Sequence, residues 1–102
     1  MSDIGQIRVL VTKEGDYWVA QCLEYDIGAQ ARDPNELAKR LIAALEAERR
    51  ETFERHGRPF AGIAPAPHHF FEAWEKRVTL FKPTEFKLPD NPEIAVEIAL
   101  AA

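Results

Sequence analysis

A chain of 102 residues has room for one domain built on one hydrophobic core. Its 46% hydrophobic and 29% charged residues fit a soluble globular protein, and no apolar run approaches the roughly 20 residues that span a bilayer. The net charge of −4, from 13 Lys and Arg against 17 Asp and Glu, argues against direct nucleic-acid binding, which normally relies on a basic surplus that displaces counterions from phosphates.

In chain order, residues 4–13, "IGQIRVLVTK", read as a strand, with Ile7, Val9 and Val11 on one face and Arg8, Leu10 and Thr12 on the other. "EGD" at 14–16 is a tight turn in which Gly15 is free to take positive φ. A second strand runs from Tyr17 to about Glu24, so the two runs form an antiparallel hairpin. Alternation places Trp18, Ala20, Cys22 and Glu24 on one face and Tyr17, Val19, Gln21, Leu23 and Tyr25 on the other. Neither face is purely polar, so both are expected to be covered, one by a helix and the other by the C-terminal segment or a second subunit. "YDIGAQAR" gives a turn and a short third strand over 27–31.

"DPNE" at 33–36 marks a helix start: Asp33 as N-cap, Pro34 at the first helical position and Glu36 closing a capping box. Leu37, Leu41, Ala44 and Leu45, beside Ala38 and Ile42, form a broad apolar stripe suited to lying on a sheet. Arg55 and His56 followed by Gly57 supply the stop, so a helix is predicted over 34–56. Arg49, Arg50, Arg55 and Arg58 alternate with Glu48, Glu51 and Glu54 and read as a solvated helix face rather than a phosphate track.

Beyond Gly57, "RPFAGIAPAP" reads as an extended connection. "HHFFEAWEKRVTLF" predicts a second helix with Phe70, Phe71, Trp74 and Val78 along one side. "KPTEFKLPDNP" is punctuated by prolines and is expected to be loop. "EIAVEIALAA" predicts a last strand, with a short terminal helix as the competing reading. The expected class is α+β: an antiparallel three- to four-stranded sheet with a long helix on one face, in β-β-β-α order. The whole chain, 1–102, is then a single domain with a core at 4–57 and a C-terminal helix and strand extension at 58–102.

Candidate chemistry is thin. A catalytic cysteine needs a base and a depressed pKa, whereas the nearest titratable neighbour of Cys22 is Glu24, whose negative charge raises a thiol pKa. Glu24 and Asp26 suggest part of a two-metal nuclease set, but the first strand offers no acidic residue between Ile4 and Lys13, and Glu46 and Glu48 are too distant to complete it. His68, His69 and Glu72 lack further His or Cys partners for a zinc site, and no phosphate-binding glycine loop or nucleophile elbow occurs. No enzymatic activity, metal or cofactor is expected. The start, "MSDIGQIRVL", has no basic region ahead of an apolar core, and a lone cysteine fits a reducing compartment, so a cytoplasmic protein is expected.

The order of features in "VLVTKEGDYWVAQCLEYDIGAQARDPNELAKRLIAALEAE", residues 9–48, resembles the HicB-like antitoxin family, with most of the weight on "WVAQCLEYDI". The resemblance implies a degenerate ribonuclease-H-like domain without catalytic residues. It further implies that the domain neutralises a small basic mRNA-cleaving toxin (HicA-like, of double-stranded-RNA-binding fold) by covering its active surface. Many members add a DNA-binding helix-turn-helix or ribbon-helix-helix, but residues 58–102 here are rich in Pro and Phe and carry no such motif. The candidate partner surface consists of two acidic spots, Glu14 with Asp16 and Glu24 with Asp26, and the aromatic anchors Trp18 and Tyr25. A homodimer or higher homo-oligomer is expected. The alternative is an orphan regulatory or small-ligand-binding domain whose pocket forms where the aromatic C-terminal segment crosses the sheet.

Overall fold

The computed structural model describes residues 6–78, 84–88 and 91–101, and for 84–88 and 91–95 it describes the backbone. Seven elements follow one another: β1 (Gln6–Glu14), β2 (Tyr17–Cys22), β3 (Gly28–Ala31), α1 (Pro34–His56), α2 (His68–Glu75), β4 (Thr84–Leu88) and β5 (Asn91–Leu100). The strands form one sheet in the order β3-β2-β1-β5-β4. The class is α+β, as expected, with the long helix lying on the sheet.

Local signals explain the first half. Gly15 takes φ 63 in the turn between β1 and β2, which pair antiparallel from Glu14↔Tyr17 to Val9↔Cys22. Asp33 Oδ2 accepts from the Glu36 backbone N–H at 3.1 Å, with Pro34 next in the first turn. Only this half of the capping box is made, because the Glu36 carboxylate turns instead to Arg40, 3.8 Å away. Gly57 at φ 76 ends α1, its N–H donating to the Phe53 carbonyl. Both ends of α1 fall where the cap residues put them.

The sheet departs from expectation in its second half. It has five strands rather than three or four, and it is mixed, since β5 joins beside β1 in parallel, Gln6↔Ala95 through Val11↔Leu100. A parallel neighbour needs a crossover, and the helical segments between β1 and β5 supply it. The stretch expected to be loop contains β4, paired antiparallel with β5. Prolines at 83, 89 and 92 flank Thr84–Leu88, which contains none, so a short edge strand fits between them. The second helix stops at Glu75 rather than continuing toward Phe81. Val78, expected on that helix, instead donates its N–H to the Leu100 carbonyl at 2.9 Å in an isolated bridge. Expectations for residues 1–5, 79–83, 89–90 and 102 lie outside the described residues.

Two clusters cover the two faces. On one side α1 packs on β3 and β2, and Leu37, Leu41 and Leu45 join Ile7, Val9, Val11, Ala20, Cys22 and Val96. On the other, Trp74 of α2 is buried with Leu10, Leu23 and Ala99, with Phe70 and Phe71 packed against them. The alternation predicted for the first hairpin holds as far as Leu23 and then fails. The strand ends at Cys22, the chain bends over 23–25, and Glu24 and Tyr25 exchange sides relative to the prediction. Glu24 thus reaches Arg8 beside α2, while Tyr25 packs into the α1-side cluster.

Candidate functional site

The six residues expected to face a partner separate into two groups at opposite ends of the first hairpin. Glu14 and Asp16 are exposed at the turn, and Trp18 stands just inside it. Glu24, Tyr25 and Asp26 follow the far end of β2, roughly 17 Å away at about 3.4 Å per residue over five steps of strand. The structure therefore presents two patches.

At the turn end, Trp18 is half-buried, and the Lys13 ammonium lies over its ring, 5.0 Å from the centroid. Trp18 forms one wall of a cleft of about 360 Å³ between the first half of α1 and the sheet. Val11 and Ala20 form the floor, Leu37, Ala38 and Leu41 the helix side, and Ile98 and Leu100 of β5 the far side. The cleft lies on the α1 face, not beneath the aromatic C-terminal segment where the small-ligand alternative placed it. It exists because α1 covers β3 and β2 but leaves the same face of β5 uncovered at this end, and because Ala20 and Ala38 are too small to fill the gap. Two carboxylates near this end are engaged elsewhere. Glu14 accepts from the Thr12 hydroxyl at 3.4 Å, on the opposite face from Val11, and Asp33 is engaged in capping α1.

At the other end, Glu24 is not a free acidic spot. Its carboxylate accepts from the Arg8 backbone N–H at 2.7 Å and from Arg8 Nε at 2.6 Å. The Arg8 guanidinium in turn lies 5.5 Å from the centroid of Phe71 and 5.7 Å from that of Trp74, tying β1, the end of β2 and α2 together. Tyr25 stacks on Phe60 with centroids 4.7 Å apart, so it anchors the 57–67 connection rather than projecting freely. Phe60 is buried, holds a strained φ of 63, and donates its backbone N–H to the Thr52 hydroxyl at 2.6 Å. Asp26 remains exposed and accepts from Gln21 Nε2 at 2.9 Å.

Sequence reasoning did not find Arg8, Thr52 or Phe60, because each partner lies 8 to 16 residues away and shows no local spacing signal. Asp26 and Glu48, judged too distant to act together, border the same second hollow of about 450 Å³ with Ile27, Gly28, Ala44, Ala47 and Ile63.

The possible reactive groups behave as their surroundings dictate. Cys22 is fully buried, and desolvation, reinforced by Glu24, pushes its thiol up to about 12. A thiol held neutral in this way is a poor nucleophile. Burial and then Glu24 also raise the Tyr25 hydroxyl above its ordinary value. His68 and Glu72 approach to 3.4 Å across one helical turn, both exposed, whereas His69 lies against Phe70. Among the described residues, no group of three or more His, Cys, Asp or Glu gathers to hold a metal, and no helix is long and apolar enough to cross a membrane.

No family model, curated protein or solved structure matches this chain.

Proposed function

We propose that the chain is a HicB-like, antitoxin-type protein-binding module that neutralises a small basic mRNA-cleaving toxin and has no catalytic activity of its own. The observation that carries this reading is the β-β-β-α unit over residues 6–56, with its Gly15 turn and Asp33-capped helix laid on the sheet. That is the order of pieces on which the resemblance rests. Support also comes from the exposed Glu14 and Asp16 at one end of the hairpin and the exposed Asp26 at the other, which would steer a basic partner. The ribonuclease-H-like ancestry belongs to the same proposal, as do a cytoplasmic location and a homo-oligomeric state.

The test is genetic and then biochemical. A small basic protein encoded beside this chain should arrest growth and cleave mRNA when expressed alone. Co-expression of this chain should restore growth, and the two should elute as one complex. A neighbourhood with no such toxic frame, or a toxin that this chain fails to neutralise, would overturn the proposal.

A further inference from the structure

The apolar cleft at the turn end of the hairpin has a shape and a neighbouring charge of which the protein-partner reading uses only Trp18. Its floor and walls are hydrocarbon from Val11, Leu37, Leu41 and Leu100, closed at one end by the Trp18 ring. A volume of about 360 Å³ falls in the range of small-molecule sites, roughly 300–1,000 Å³. A slender molecule fits along such a cleft.

A charge stacked on the Trp18 wall narrows the ligand further. Lys13 lies on the same face of β1 as Val11, and its ammonium sits over the Trp18 ring that closes the cleft. It makes no ion pair among the described residues. The turn carboxylates make no ion pair with it, Glu14 accepting from Thr12 on the opposite face and Asp16 standing exposed at the turn, while Asp33 holds the helix cap and Glu36 faces Arg40.

We propose that this cleft binds a slender amphipathic molecule with an anionic head, of the medium-chain carboxylate type. The chain lies between α1 and β5, and the carboxylate meets the Lys13 ammonium beside Trp18. The apolar walls supply most of the affinity by removing the tail from water, and the lysine fixes its direction. Neither part depends on a protein partner.

Titration of the full chain with decanoate, followed by backbone amide NMR, tests the assignment. Saturable one-to-one binding is expected, with shifts centred on Val11, Trp18, Leu37, Leu41 and Leu100. Decanol should bind the same residues, and decylamine more weakly than either. Lys13→Gln should weaken decanoate about threefold, the scale of one exposed charge contact, and leave decanol unchanged. Ala38→Phe should fill the cleft and abolish both, and Ala38→Leu provides a milder filling variant if the larger ring disturbs the fold. Non-saturable binding, shifts centred elsewhere, or equal affinity in the filled variants would overturn the proposal. So would a dimer in solution whose interface occupies these residues and excludes decanoate.

Discussion

Arg8 and Glu24 lie 16 residues apart and meet at 2.6 Å, with a second hydrogen bond from the Arg8 backbone N–H to the same carboxylate at 2.7 Å. The pair fastens the second residue beyond β2 to the first half of β1 and places the guanidinium over Phe71 and Trp74 of α2. A carboxylate that the sequence offers as a partner contact is thereby used to hold the sheet and the second helix together.

Replacing Glu24 should consequently act on stability. Both side chains are about one third exposed (32% and 28%), so solvent screens the charge and the contribution is modest. Glu24→Gln is expected to cost about 1 kcal/mol, the scale of a net hydrogen bond rather than of a buried ion pair. Arg8→Gln should cost a similar amount, and the double variant less than the sum, because the two share one interaction. Urea unfolding of the four proteins measures this, and full additivity would show that the pair is energetically silent.

The Cys22 thiol predicts an alkaline weakness. Burial, with Glu24 beside it, pushes the thiol from its ordinary 9.0 up to about 12 in the fold, so between those limits the unfolded chain loses a proton that the folded chain keeps. Stability is then fully present below about pH 9 and falls as pH rises, by at most about 1.4 kcal/mol per unit from this group. Cys22→Ala should be less stable at neutral pH, where it leaves a small cavity, yet show a shallower alkaline decline. Urea midpoints from pH 7 to 10.5 supply the comparison, and parallel curves for the two proteins would refute the assignment. A thiol reagent should label Cys22 only as fast as the protein opens.

Asp33→Ala removes the side-chain acceptor for the Glu36 N–H and is expected to cost about 1 kcal/mol. Asp33→Asn, which keeps an acceptor oxygen, should restore most of it. Thermal melts of both variants decide the matter, and an unchanged midpoint for the alanine variant would count against the cap.

Legibility followed sequence distance. The Gly15 turn, the Asp33 cap and the Gly57 stop involve residues within four positions of each other, and the structure places them as the sequence predicts. The Leu37, Leu41 and Leu45 stripe was equally readable, since its four-residue spacing fixes a helix face without any tertiary information. The parallel partnership of β1 with β5 was not readable, because an alternating strand carries no mark of its neighbour's direction. The Glu24 and Tyr25 exchange was hidden for a related reason. Alternation extrapolates a strand past its true end, and the bend at 23–25 carries no Gly or Pro to announce it. The cleft arises from two alanines on different elements, a juxtaposition that composition cannot display.

Thr52 carries three hydrogen bonds. Its hydroxyl donates toward the Glu48 and Arg49 carbonyls and accepts from the buried Phe60 N–H. Thr52→Val keeps the shape of the side chain but strands that N–H, at an expected cost of about 1–3 kcal/mol. Thr52→Ser retains the hydroxyl and should lose far less. The loss should also appear as faster hydrogen exchange through the 57–66 connection, which is held at Phe60 and by the Ala66 N–H to Leu23 carbonyl bond at 3.0 Å. Protection there equal to that of the parent protein would mean that the connection is fastened by other contacts.

The geometry also ranks the charges for the proposed toxin. Glu14, Asp16 and Asp26 are exposed, whereas Glu24 is committed to Arg8. Reversing Asp16 or Asp26 to Lys should slow association roughly two- to tenfold at low salt and flatten its salt dependence, with little change in dissociation. Arg8→Gln and Glu24→Gln together remove a pair of zero net charge and should leave the association rate of the folded protein nearly unchanged. Tyr25→Ala should lower the melting temperature through loss of the Phe60 stack, and any faster dissociation should accompany that loss. Stopped-flow association at several ionic strengths, set beside melts of the same variants, separates steering from folding. If the double variant slowed association as much as Asp16→Lys, the carboxylate would be leaving Arg8 to meet the partner, and the division between structural and steering charges would fall.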